Sequence, residues 1–185
     1  MRRHIAQRLA VAGLMVILLV VSGETQPAQP PLGLGRTPTA AEIQAWDIAI
    51  GPDGKELPAG QGTAREGAGL YRDKCAMCHG ENGSEGPQDV LVGGQESLAT
   101  AKPVRTIGSF WPYATTIYDY LYRAMPLYAP GSLPPHEVYA LTAYLLFRNG
   151  IVGEDAVIDA QTLPKIRMPN RDGFRPDPRP EREAP

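Results

Sequence analysis

The chain has 185 residues, with 18 Lys and Arg against 20 Asp and Glu, and only 2 Cys. This length suits one domain with extensions better than two full domains. The near-neutral charge offers no basic surface for nucleic acid. Two cysteines exclude both a multi-disulfide scaffold and a zinc site built from four thiolates. The 20 Gly and 19 Pro exceed average usage, and most of the prolines lie outside residues 63–150.

The first 23 residues have the pattern of an export signal. Three arginines precede an apolar run from Leu9 to Val21, which is too short to span a bilayer comfortably. We predict cleavage after Gly23 and a periplasmic location, with an uncleaved N-terminal anchor as the alternative. No other stable membrane span is expected. Cleavage would leave the mature chain moderately acidic because the signal contains no acidic residue.

An N-terminal extension, residues 24–62, begins with a leader that has no apolar period. Thr39 and Glu42 then form a capping-box spacing, which predicts a short helix over about 39–48. A turn-rich connector follows up to residue 62. We expect this extension to wrap over the domain or over a partner subunit, with Trp46 as an apolar anchor. A flexible tail is the alternative.

Residues 63–150 carry the strongest helical periodicity and are expected to form an all-α domain. We expect its helices to begin at capping residues or prolines and to be separated by loops, the longest of which is the Gly-rich stretch 80–112. The predicted helix starts are Thr63 with Glu66, Thr115 or Thr116, and Ser132 with Pro134 and Pro135. Asn149 and Gly150 predict the end of the last helix. No strand pattern and no internal repeat is convincing.

The C-terminal extension, residues 151–185, becomes Pro-rich and charged from Leu163 onward and has no apolar period there. We expect it to wrap over the domain or a partner in the same way, with Met168 and Phe174 as apolar anchors. A flexible tail is again the alternative.

The most informative segment is Cys75-Ala76-Met77-Cys78-His79. This motif is typical of covalent c-type haem attachment. At the end of a helix, residues three apart project on nearly the same side, so both thiols can reach the two vinyl groups of one porphyrin. The alternatives are a disulfide or half of a zinc site. The adjacent His, the export signal and the lack of further cysteines favour one covalent haem c, with His79 on the iron.

The candidates for the sixth iron ligand are few. Outside the export signal and the attachment motif, only Met125, Met168 and His136 remain. Met125 precedes a proline, where a helix cannot continue, so the backbone can present its sulfur to the iron. Met168 lies beyond the last helix and is expected to serve in packing or partner contact. A His/Met haem has a raised potential and no open position, which predicts a one-electron carrier that is not an enzyme by itself.

Aromatic residues are concentrated around the Met125 segment. They are Phe110, Trp111, Tyr113, Tyr118, Tyr120 and Tyr122. We expect some of them to wall the haem crevice, exclude water and hold the reduction potential up. Ordinary core packing is the alternative.

Residues 63–150 resemble a class I cytochrome c in their helix before the CxxCH motif, their loop, their Met-Pro pair and their aromatic last helix. The resemblance implies that the first and last helices cross, with Gly67 and Tyr71 against Tyr144. It also implies a proline after the haem site whose carbonyl accepts the N–H of the proximal His. Pro87 is the candidate for this role, and an ordinary loop turn is the alternative.

A narrower resemblance is to the cytochrome subunits of Sox-type sulfur or sulfite dehydrogenases. The similar segments are Gly33–Arg36, Glu42–Asp47, Gly108–Ala114, Asp119–Pro126, Glu137–Leu145 and Met168–Phe174. The resemblance implies a molybdenum-cofactor dehydrogenase subunit as electron donor, and a downstream c-type cytochrome or oxidase as acceptor. One alternative is a carrier for another dehydrogenase or a terminal oxidase. The other is a haem protein whose open sixth site binds gas or substrate.

Overall fold

The computed structural model of the protein describes residues 33–175. The predicted export signal, residues 1–23, and the outer ends of both extensions lie outside the described residues. The chain divides into two compact units, Met1–Glu42 and Ile43–Pro185. Between residues 33 and 175, no helix has both the length and the apolar character that crossing a bilayer requires.

The regular structure is almost entirely helical, as predicted. The helices are α1 (Ala40–Trp46), α2 (Ala64–Lys74), α3 (Ala76–His79), α4 (Ala114–Ala124) and α5 (Pro135–Arg148). Two 3-10 turns also form, Ser97–Ala99 and Leu163–Lys165, together with two strands of two residues each, β1 (Gln61–Gly62) and β2 (Ile158–Asp159). The periodicity predicted neither the 3-10 turns nor the strand pair.

Capping boxes begin α1 and α2, as predicted. The Thr63 hydroxyl accepts the backbone N–H of Glu66 at 3.3 Å, and the Glu66 carboxylate accepts the N–H of Thr63 at 2.8 Å. Thr39 and Glu42 make the same reciprocal pair. Each box satisfies donors that the first turn leaves without a helical partner.

The predicted starts of the two later helices were wrong by one to three residues. Thr115 lies inside α4, whose N-cap is Tyr113, and α5 begins at Pro135 behind Pro134 rather than at Ser132. Neither cap makes a side-chain hydrogen bond. Proline suits the first position of α5 because its fixed φ is helical and its missing N–H is not needed there. The Thr115 hydroxyl is buried and directed at the carbonyl of Pro52, at 3.4 Å, and makes no cap bond.

Helices α2 and α5 cross at the centre of the domain. A Cβ atom on Gly67 would lie only 2.1 Å from the carbonyl oxygen of Ala140, so the two backbones are in direct contact. One turn along, the rings of Tyr71 and Tyr144 pack with their centroids 5.0 Å apart. This is the crossing that the cytochrome resemblance implied. Helix α4 packs on α5 elsewhere, with the Tyr118 and Tyr139 centroids 4.5 Å apart.

The inner parts of both extensions pack on these helices. The buried apolar residues that they contribute are Ile50, Leu57, Ile158, Leu163 and Met168. Strands β1 and β2 join the two extensions, with Gly62 opposite Ile158 in an antiparallel pair. A flexible tail is therefore the wrong description of residues 50–62 and 158–168.

The three predicted anchors differ in their burial. Met168 is 1% exposed and belongs to the core. Phe174 is 53% exposed and packs edge-on against Phe110, with centroids 5.3 Å apart. Trp46 is 87% exposed, so it does not anchor the N-terminal extension on the domain, and its contact with a partner subunit stays a prediction. The burial of this extension begins only at Ile50, after α1 has ended.

Candidate haem-attachment site

The two cysteines lie where one helix ends and the next begins. Cys75 follows α2, and its N–H still donates to the carbonyl of Tyr71 at 2.8 Å. The N–H groups of Cys78 and His79 then both donate to the carbonyl of Cys75, at 3.1 and 3.0 Å. This single turn brings both thiols and the imidazole onto one short segment. The local geometry is therefore the one that the spacing predicted.

Both thiols of the motif are in their reduced form in this structure. Both cysteines are free and partly buried. Burial raises the pKa of the Cys75 thiol to about 11, so it is not a reactive thiolate at neutral pH. Within residues 33–175, no group of three or more His, Cys, Asp or Glu side chains is arranged to hold a metal ion. Within the described residues, the two cysteines are therefore not part of a complete zinc site.

The His79 ring is held by a backbone carbonyl. Its Nδ1 lies 2.8 Å from the carbonyl oxygen of Asp89. Because a carbonyl only accepts, Nδ1 carries the proton and Nε2 keeps its lone pair for a metal. Two free thiols three residues apart, followed by an imidazole in this tautomer, are the donor set that a covalent haem requires.

The expectation that Pro87 supplies this carbonyl was wrong, since Asp89 does so instead. Gly86 lies against the attachment motif, where a Cβ atom would be 2.2 Å from the carbonyl oxygen of Cys78. The N–H of Gln88 then donates to that same oxygen at 2.9 Å. These contacts turn the chain so that the carbonyl two residues beyond Pro87 faces the imidazole. The Gly-Pro pair signalled the turn but not which carbonyl it would present.

The three candidates for the sixth ligand lie in different surroundings. Met125 directly follows α4, is partly buried and has extended backbone angles, φ −116° and ψ 152°. Its backbone therefore leaves the helix where the following proline predicted. Met168 is enclosed in the core, and His136 is exposed in the first turn of α5.

Tyr71 and Asn149 each hold this region through hydrogen bonds that the sequence analysis did not predict. The hydroxyl of Tyr71, which is 2% exposed, donates to the carbonyl of Gly80 at 2.9 Å, just after the motif. Asn149, at the end of α5, donates to the carbonyl of Leu91 at 3.2 Å and accepts the N–H of Gly93 at 3.1 Å. The burial of a Tyr on a helix face was predictable, but the partners of both side chains are set by the fold.

Comparison with known proteins places the chain in a family. A family model for cytochrome c oxidase, cbb3-type, subunit III, matches residues 62–145. The crystal structure of the sulfane dehydrogenase SoxCD from Paracoccus pantotrophus matches at 45% identity with a TM-score of 0.72, over 80% of this chain and 74% of that chain. This chain is a c-type cytochrome of the Sox sulfane dehydrogenase family. The search of curated proteins found no match.

The C-terminal extension of this cytochrome packs against residues 110–113, the segment that leads into α4. The side-chain amide of Asn170 donates to the carbonyl of Phe110 at 2.8 Å. The guanidinium of Arg171 lies 3.9 Å from the centroid of the Tyr113 ring, a cation–π distance. With the Phe174 contact to Phe110, these interactions hold the aromatic segment from both its backbone and its rings.

The aromatic cluster of the cytochrome has two parts. Tyr118 is fully buried against Tyr139 and serves the core, as the packing alternative expected. Trp111 packs edge-on against Tyr120, with centroids 5.8 Å apart, and Tyr120 is 47% exposed. The partly buried or exposed members are the ones available to line a cofactor crevice.

Proposed function

We propose that this cytochrome carries one haem c bound covalently through Cys75 and Cys78, with His79 and Met125 as the axial iron ligands. The observation that carries the proposal is the hydrogen bond from His79 Nδ1 to the Asp89 carbonyl. His79 directly follows the second of two free cysteines, Cys75 and Cys78. A bound haem supplies one-electron exchange between Fe(II) and Fe(III).

Each residue has a separate task in this proposal. The thiols of Cys75 and Cys78 fix the position of the group through thioether bonds. The Asp89 carbonyl orients the His79 ring and makes Nε2 a stronger donor. Met125 supplies a soft, neutral sulfur, which favours Fe(II) and raises the reduction potential. If His79 and Met125 both hold the iron, no position would be left there for substrate, and the chain would serve in electron transfer.

Replacement of Met125 tests the ligand assignment. Met125→Ala should abolish the Met-to-Fe(III) charge-transfer band in the oxidised protein and open the iron to CO. Met168→Ala is the matched control, because Met168 lies in the core and should leave the band in place. The open-site alternative would instead be supported by a wild-type protein that is high-spin in the ferric state and binds CO at once when it is reduced.

We also propose that this cytochrome is a periplasmic subunit that accepts electrons from a molybdenum-cofactor dehydrogenase subunit and passes them to a c-type cytochrome or oxidase. The match to SoxCD supports this, because it extends over 80% of the chain, far beyond the cytochrome domain proper. The oxidase family model covers only residues 62–145, so it supports the alternative of a carrier for a terminal oxidase only at the level of the domain.

The N-terminal extension offers a surface for such a partner subunit. Around the end of α1, Ile43 and Ile48 are each 53% exposed and Trp46 is 87% exposed. Trp is enriched at the energetic centres of protein interfaces. Trp46→Ser should therefore weaken co-purification with the partner and leave the thermal stability of the isolated cytochrome unchanged. Equal co-purification of the two proteins would argue against a partner contact at Trp46.

The donor is identified by co-purification and reduction. The proposal expects a molybdoprotein to accompany the cytochrome, and expects its haem to become reduced when sulfite or a sulfane-sulfur substrate is added. If the chain purifies alone and is reduced only by another dehydrogenase, the partner assignment is wrong. The N-terminal mass of the purified protein decides whether export ends in cleavage after Gly23 or in an uncleaved anchor.

A further inference from the structure

The loop after the attachment motif, residues 80–89, folds around one carboxylate. Oε1 of Glu85 accepts the backbone N–H of Asn82 at 2.9 Å and its side-chain amide at 2.7 Å. Oε2 accepts the N–H of Ser84 at 2.9 Å and its hydroxyl at 3.0 Å. Hydrogen bonds from the Asn82 and Ser84 backbone lower the pKa of Glu85 to about 2. The carboxylate is therefore charged throughout the physiological pH range.

Glu85 lies between the two limbs of this loop, the outgoing limb (residues 80–84) and the returning limb (residues 86–89). On the outgoing side, a Cβ atom on Gly80 would meet the Glu85 side chain at 2.8 Å. On the returning side, Gly86 presses on the carbonyl of Cys78, and Gln88 donates to the same oxygen. The Glu85 side chain therefore lies where the two limbs come close to each other, and its four hydrogen bonds fold the outgoing limb around it.

The outgoing limb is itself fixed to the helices. Tyr71 on α2 donates to the carbonyl of Gly80 at 2.9 Å. Arg148 on α5 donates to the backbone and side-chain oxygens of Asn82, at 3.3 and 3.2 Å. Because Glu85 bonds to Asn82, it connects this fixed limb to the segment that ends at Asp89.

We propose that Glu85 is a positioning residue for His79. By closing the loop, it holds the Asp89 carbonyl on His79 Nδ1, and it does so without contacting the imidazole itself. The inference rests on the proposed role of His79 as an iron ligand, because that hydrogen bond sets how strongly Nε2 donates to the metal.

Glu85→Gln tests the proposal at nearly constant size. The amide replaces one acceptor oxygen with a donor, so at least the backbone N–H of Asn82 or Ser84 that faced that oxygen loses its hydrogen bond. Glu81→Gln is the matched control, since it makes the same charge change in the same loop. Glu81 is exposed and accepts no side-chain hydrogen bond within the described part of the chain. Full-length holoprotein of each variant is compared with the wild type.

The first readout is solvent exchange of the His79 Nδ1 proton, measured by NMR in the reduced, diamagnetic state. We expect exchange to be at least about fivefold faster in Glu85→Gln, the factor that matches the net worth of one hydrogen bond. Glu81→Gln should exchange as the wild type does. The second readout is the reduction potential, which should rise more in Glu85→Gln than in Glu81→Gln, because a weaker imidazole donor favours Fe(II).

Equal exchange rates and equal potentials in the two variants would overturn the proposal, even if Glu85→Gln melts earlier, since that would show a purely structural role. If Glu85→Gln does not fold, Glu85→Asp keeps the charge on a shorter side chain. Faster exchange is expected there too, and wild-type exchange would contradict the inference. Absence of covalent haem from the wild type would refute the proposed function instead. In that case, the exchange rates of the apoproteins would still compare Glu85→Gln with Glu81→Gln, because the bond from His79 Nδ1 to Asp89 is made by the polypeptide itself.

Discussion

Adding one methyl group at Gly67 tests the helix crossing that underlies the haem domain. The new Cβ atom would lie 2.1 Å from the Ala140 oxygen, 2.7 Å from its carbonyl carbon and 2.8 Å from Tyr144 Cβ. These are backbone atoms or atoms next to the backbone, so the helices must move apart rather than let a side chain turn aside. Overpacking costs about 1–3 kcal/mol, and contact with backbone places Gly67→Ala near the upper end.

Helix propensity acts in the opposite direction. Alanine is better than glycine in a helix interior by about 1 kcal/mol, so Gly67→Ala should lower the free energy of unfolding by about 2 kcal/mol net. On the same helix, a Cβ atom added at Gly69 would meet no other atom within 4 Å. Gly69→Ala should therefore gain up to about 1 kcal/mol from propensity alone.

Urea unfolding of the two holoproteins measures this difference. With a slope of about 2 kcal/mol per molar urea, the midpoint of Gly67→Ala should fall by about 1 M, whereas that of Gly69→Ala should rise slightly. Circular dichroism and haem absorbance should report the same transition. Equal midpoints for the two variants would refute the close crossing of α2 and α5.

Three further predictions concern side chains that stabilise the domain through hydrogen bonds, core packing or an ion pair. Asn149→Ala should lower the free energy of unfolding by about 1–3 kcal/mol in urea, because partly buried backbone groups of Leu91 and Gly93 lose their partner. Met168→Ala should cost about 2–5 kcal/mol in the same assay, because it empties a core position. Burial opposes ionisation of Asp119, but hydrogen bonds from the Arg123 side chain and from the backbone N–H of Ile50 lower its pKa overall. The stabilisation that ionised Asp119 provides should be present above about pH 4 and be lost as the pH falls further. The difference in free energy of unfolding between the wild type and Asp119→Asn should therefore shrink below about pH 4 in an acid titration.

Features that depend on neighbours in sequence were predictable. The capping boxes at Thr39 and Thr63 formed as expected because each needs only a residue three positions away. The spacing of Cys75 and Cys78 likewise placed them on one helical turn. The Asn149–Gly150 pair ended α5, since Gly150 adopts a positive φ of 71°. In each case the controlling interaction spans only a few residues.

Features that depend on distant segments needed the tertiary structure. Pro87 was the nearest candidate to hold His79, yet the close packing of Gly86 on the motif presents Asp89 instead. Met168 is buried and Trp46 is exposed, although both are large apolar residues in the extensions, and the sequence alone did not distinguish them.

The sequence by itself determined the attachment motif, the helical class and the short list of iron ligands, because these follow from residue type and local spacing. Only the tertiary structure decided which carbonyl orients the imidazole and which parts of the extensions are buried. Those outcomes depend on contacts between residues far apart in the chain, such as the bond between Gly93 and Asn149. No local pattern specifies such a pair, because its geometry exists only once the helices have packed.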